Sequence, residues 1–201
     1  MGTTESPQEV ETSSQTFDGP LPEYVDWIAG ALIAIGGLAL TVGGSAMTFV
    51  VDRGLLAEGI ESGEITVIVI ERELTEAQML DLSLEVVNWT GIGLLVTGIA
   101  LIAFAIVYVV SRHRTHQRAE PDAPTGSYRS YAVLGAVATA VLSFIPFSPV
   151  AGGGLAGYVG YSETGRPTAT GALAGFLAML PALVILLFVA GGLYSGFAAV
   201  Q

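Results

Sequence analysis

The sequence contains no cysteine and no lysine. Without thiols there is no disulfide scaffold, no thiolate metal site and no cysteine nucleophile. Without lysine, seven arginines are the only permanent cations; against 18 acids they leave a formal net charge of −11. So few bases cannot build a basic face, and nucleic acid is not an expected partner. Charge of either sign is scarce, at 12% of residues, where soluble domains carry about 25%. Apolar residues fill the gap: 52% are hydrophobic, 26 are glycine, and the mean hydropathy is +0.66. A 201-residue chain of this kind fits one domain whose main solvent is lipid.

Residues 1–26 carry six acids and no base among Thr, Ser, Gln, Gly and Pro. They hold too little apolar surface to offset the entropy of ordering, which predicts a disordered acidic tail. With no basic n-region, and with its first apolar run beginning only at Trp27, the segment does not read as a signal peptide. Residues 27–201 form the expected membrane domain.

Trp27–Val51 is uncharged for 25 residues and Trp89–Ser111 for 23. A helix of 25 residues reaches about 37 Å, enough to cross a hydrocarbon core of about 30 Å with some tilt. Spans are therefore expected at 27–51 and 89–111. Residues 131–161 are also uncharged but contain Pro146 and Pro149. This predicts either one bent span or a re-entrant hairpin of two half-helices, 131–145 and 150–161. Residues 169–200 form the last apolar stretch, with Pro181 inside it, long enough for one kinked span or for a short helix followed by a full one. The expected fold is all-α, with about four membrane segments, the third and fourth broken by proline.

Arginine placement orients the chain. Arg112, Arg114, Arg118 and Arg129 cluster in the 112–130 connection, whereas the 52–88 connection has two arginines against nine acids. The positive-inside rule puts 112–130 and the N-terminus in the cytoplasm and the acidic 52–88 segment outside. Four crossings would return the C-terminus to the cytoplasm. The four arginines read as topology anchors touching anionic headgroups.

Glycines predict how the helices meet. Gly30, Gly37 and Gly44 recur every seven residues in the first span, and Gly91, Gly98 and Ala105 do so in the second. Small residues at that spacing hold one face to a partner and let two backbones approach closely. An antiparallel hairpin of these spans is expected. Gly153–Gly157, Gly171–Gly175 and Gly192–Gly196 are further close-packing spacings. Two stretches, one around Pro146 and one around Pro181, share Gly-Ala and Ala-Gly-Gly elements. Unequal spacing favours shared composition over an inverted repeat.

In the external segment, Ile65–Ile70 is β-branched and reads as a strand. Thr75 to Gln78 matches a capping box, opening an amphipathic helix that runs into the second span. Residues 65–88 are the expected surface for a second copy or a membrane-protein partner.

No nucleophile elbow, P-loop or dinucleotide fingerprint occurs. His113 and His116 have only Glu120 nearby as a third ligand and arginines around them, so a metal centre is not expected. The external acids match no calcium loop. Asn88-Trp89-Thr90 is a formal glycosylation sequon set too close to the interface for ready modification. No ionisable residue lies inside a proposed span, which argues against a proton-coupled pump. The chain thus reads as a non-enzyme without a cofactor.

The acidic, lysine-free composition resembles that of proteins from extreme halophiles. The stretch Val133–Val137, Ser143–Pro149, Ala156–Tyr158 and Gly171–Gly175 is similar to uncharacterised haloarchaeal polytopic membrane proteins that share a domain of unknown function, as is Asn88–Gly98. That resemblance implies a location in the cell membrane and a multi-pass architecture, and assigns no functional residue. The leading expectation is an envelope, assembly or scaffold component. The alternative is a small transporter or channel for a neutral solute or ion, with its pathway at Pro146, Pro149 and Pro181.

Overall fold

The computed structural model describes residues 23–62, 75–118, 128–142, 148–161 and 165–199. All the regular elements it describes there are α-helices: α1 (Glu23–Phe49), α2 (Arg53–Glu61), α3 (Glu76–Arg118), α4 (Tyr128–Val141), α5 (Ser148–Val159) and α6 (Pro167–Ala199). The expected strand at 65–70 and the position of Pro146 lie outside the described residues.

The helix boundaries follow local chemistry. α1 begins at Glu23, so the last four residues of the expected tail are helical; Glu23 and Asp26 place negative charge on its first turn, where the helix dipole favours it. Asp52 caps α2 by accepting the Leu55 N–H at 2.9 Å. The capping box of α3 forms in both directions: Thr75 Oγ1 accepts the Gln78 N–H at 3.3 Å, and Gln78 Oε1 accepts the Thr75 N–H at 3.0 Å. α3 then runs unbroken for 43 residues, a length of about 64 Å. It joins the amphipathic segment and the second apolar run in a single rod.

Three helices are long and apolar enough to cross a membrane, within Glu23–Phe49, Ala77–Arg118 and Pro167–Ala199. The third apolar stretch is built differently. α4 and α5 have 14 and 12 residues, about 21 and 18 Å, well short of a 30 Å core. Gly135 of α4 meets Gly152 and Ala156 of α5, and Gly152 meets Thr139. That register is antiparallel, so of the two sequence readings the hairpin is the one present. Pro149 sits in the first turn of α5, where a missing N–H costs nothing.

The expected break at Pro181 is corrected: α6 continues through it from Pro167 to Ala199. Proline forfeits one backbone hydrogen bond but does not end a helix whose neighbours on both sides have no better structure to adopt in an apolar setting.

α3 lies between α1 and α6. Its glycines at 91 and 98 face α1, whereas Leu82, Trp89 and Gly93 face Gly196, Gly192 and Phe188 of α6. The last pairs run antiparallel, with the Trp89 and Phe188 rings 6.1 Å apart. The α4–α5 hairpin covers the first part of α6: Gly135 meets Ala174, Gly153 meets Gly171, and Gly157 meets Pro167. Ala132, Ala156 and Ala174 form a fully buried small-residue core there. Running down α6 from the Gly135–Ala174 contact, α4 ends at about the level of Leu180 and Pro181, near the middle of α6. Because α4 and α6 run the same way, the two glycine-alanine stretches are not an inverted repeat.

One topological expectation falls with this arrangement. The end of α6 packs beside the start of α3, so it shares a side with α2 and lies opposite the start of α1. The C-terminal end is therefore not on the N-terminal side.

Candidate functional site

Two places concentrate the residues singled out by sequence: the seam between α1 and α3, and the arginine-bearing end where the seam closes. In the seam, a β-carbon on Gly98 would stand 2.5 Å from the Gly37 carbonyl oxygen, and one on Gly37 would stand 2.8 Å from that of Gly98. Gly44 and Gly91 are likewise opposed, with a β-carbon on Gly44 only 2.6 Å from the Gly91 oxygen. Gly30 lies against Val109, and Ala105 is buried one turn away. Backbone meets backbone at the Gly37–Gly98 and Gly44–Gly91 crossings, where any side chain larger than hydrogen would push the helices apart, whereas Gly30 is met by the Val109 side chain. By contrast Gly36 and Gly43, one position before Gly37 and Gly44, face open space.

Where the seam ends, charge is buried. Asp26 is 2% exposed and receives three partners from α3: Tyr108 OH donates to Oδ1 at 2.6 Å, Arg112 Nε donates to Oδ2 at 2.9 Å, and His116 Nε2 lies 3.1 Å from Oδ2. A second, exposed pair sits outside it, His113 Nδ1 with Glu23 Oε1 at 2.7 Å, and Trp27 Nε1 donates to the same oxygen at 3.4 Å. Burying an unpaired carboxylate would be prohibitive, and here both oxygens are occupied. Below the cluster, Tyr108 joins Ala29 and Val133 in a core to which Leu177 of α6 also contributes. The ionic lock is thereby continuous with the packing of four helices.

This corrects the reading of Arg112. Its guanidinium is directed to Asp26 and buried rather than offered to headgroups. Arg114, Arg118 and Arg129 are exposed. Asp26, read as part of a disordered tail, is a structural anchor. Sequence reasoning passed over it because one acid among six before an apolar run carries no mark of its own. A readable signal existed: Glu23 and Asp26 share a three-residue pitch with His113 and His116, so each helix presents its set on one face. The histidines are thus committed to carboxylates, and among the described residues no group of three or more His, Cys, Asp or Glu is placed to hold a metal ion.

Of the prolines expected to line a pathway, Pro149 opens α5, Pro181 lies inside α6 and Pro146 is outside the described residues.

Three apolar helices long enough to cross a membrane, two of them joined by the glycine seam, give the chain the build of a multi-pass membrane protein. Residues 129–201 match a family of unknown function, DUF5518. The matched stretch is α4 from its second residue, then α5 and α6, the unit held together by glycine and alanine contacts. No curated protein and no solved structure matches the chain.

Proposed function

We propose that the chain is a non-enzymatic component of the cell membrane, an envelope, assembly or scaffold protein with its N-terminus in the cytoplasm. On this reading α1, α3 and α6 cross the bilayer, and the α4–α5 hairpin enters from the cytoplasmic side to about half its depth. Residues 65–88 are the surface offered to a membrane-protein partner or a second copy.

The unbroken run of α3 supports this most directly. Thirteen residues, 76–88, precede the uncharged span in the same helix, about 20 Å of rod. Leu82 against Gly196 and Glu85 near Ser195 brace it on α6. A rigid arm of this kind holds a binding face at a fixed angle to the membrane, so little ordering entropy is lost on docking. The rival reading, a transporter along the proline breaks, loses one of its elements because α6 is continuous through Pro181.

A photo-crosslinking residue placed at Asp81 on the arm, compared with one at Leu186 on the exposed face of α6, tests the proposal in native membranes. A discrete protein adduct is expected from position 81 and only lipid from 186. Recovery of the uncrosslinked monomer from both positions would sink it.

A further inference from the structure

The end of the bundle away from the ionic lock holds a cavity of about 330 Å³. It lies where the end of α1, the start of α2 and the pre-membrane arm of α3 converge. Its polar lining is Thr48, Asp52, Arg53, Glu85 and Asn88, and the rest is apolar. A cavity of this size with a few convergent polar groups on an apolar wall is the usual form of a small-molecule site.

The hydrogen-bonding capacity in it is unevenly spent. Thr41, Ser45 and Thr90 each donate to a carbonyl four residues back. Thr48 does not: its hydroxyl oxygen is buried without a hydrogen-bond partner among the described residues. Asp52 uses Oδ1 as the cap of α2. Glu85 is fixed by Ser195 Oγ, 3.4 Å from Oε2. Both carboxylates are held in place by the fold while keeping an oxygen to offer.

The charge balance selects the ligand. Arg53 is drawn to Asp81, Nη1 to Oδ1 at 3.0 Å, so its charge is matched outside the cavity count. Asp52 and Glu85 are left as net negative lining, with the Asn88 amide oxygen as a further acceptor, while the Thr48 hydroxyl is buried against Gly91 in the seam. We propose that this cavity binds an organic ammonium ion: N–H donors on the carboxylate side and a short carbon stem against the apolar wall. Such a group reaches the site as a free amine or as a lipid headgroup, since the cavity sits where the uncharged run of α1 ends and that of α3 begins.

Calorimetric titration of the full chain in neutral detergent at low salt tests this, with ethylammonium as probe and acetate as control. Saturable binding of ethylammonium, and none of acetate, is expected. Glu85→Gln should weaken it about tenfold, the value of a hydrogen bond to a charged group. Asp52→Asn should weaken it similarly while keeping the cap of α2, because asparagine caps as well as aspartate. Arg53→Gln, which removes a cation, should not weaken it. Circular dichroism and size exclusion establish that each variant is folded. In vesicles of ethanolamine-headgroup lipid, loss of ethylammonium binding identifies the lipid as the source, and undiminished binding identifies a free amine. Absence of saturable binding by the unsubstituted chain, or equal binding by folded Glu85→Gln and Asp52→Asn, overturns the proposal.

Discussion

At the scale of single residues, Asp26 decides more than any other side chain. Its carboxylate is buried with a hydroxyl, a guanidinium and an imidazole around it. The pair with Arg112 is weak evidence for net stability, because desolvation of both ions offsets much of their attraction. Breaking one side is another matter. Asp26→Ala is expected to cost about 3–5 kcal/mol, since the buried Arg112 guanidinium loses the carboxylate to which its Nε donates. Tyr108→Phe should cost about 1.5–3 kcal/mol, the range for a hydrogen bond to an ion. Denaturant unfolding in detergent micelles measures both, and Asp26→Leu with Arg112→Met should recover part of the loss. If Asp26→Ala unfolds at the same midpoint as the unsubstituted chain, the lock carries no weight. What made this residue illegible is separation along the chain: its partners are 82, 86 and 90 positions away. The only trace of such distant pairing is the matched pitch of Glu23 and Asp26 with His113 and His116, a single step on each helix, whereas the glycine spacing repeats along both.

At the scale of elements, legibility tracked how many residues share one cause. α1 and the membrane part of α3 are announced by 25 and 23 uncharged residues in a row. The start of α3 is announced by a reciprocal cap whose two hydrogen bonds depend on residues only three apart. Prolines were harder, because their effect depends on what surrounds them. Pro149 at a helix start and Pro181 within a helix have opposite meanings from the same ring. The seam gives a sharp test from adjacent positions. Gly37→Ala drives a methyl group into the Gly98 carbonyl and is expected to destabilise by about 1–3 kcal/mol, as overpacking does. Gly36→Ala meets nothing and should be neutral or stabilise by up to about 1 kcal/mol through helix propensity. Equal unfolding midpoints for the two variants would mean that α1 and α3 do not meet at this face.

At the scale of the whole molecule, the proposed three-crossing topology puts the two ends of the chain on opposite sides. A reporter fused after Gln201 should label from the side reached by one placed within the 63–74 connection, and not from the side reached by one placed after Arg118. Labelling of the C-terminal reporter together with the one after Arg118 would restore a fourth crossing and refute the hairpin. The family match falls on the α4–α6 unit alone. The α1–α3 pair, with its own seam and lock, is attached to that unit through the face of α3 that carries Trp89 and Gly93.

On the proposed topology, with α4 and α5 entering the bilayer to half its depth, five helices occupy one leaflet and three the other, and the protein is a wedge. Lipids in the leaflet beneath the hairpin must spread to fill the missing cross-section. The strain is relieved where that leaflet is the compressed, concave one. The protein is expected to enrich on small vesicles over large ones when the hairpin side faces outward, and fluorescence partitioning between vesicle sizes measures it. Shape alone would then give the membrane domain a preferred place on a curved envelope.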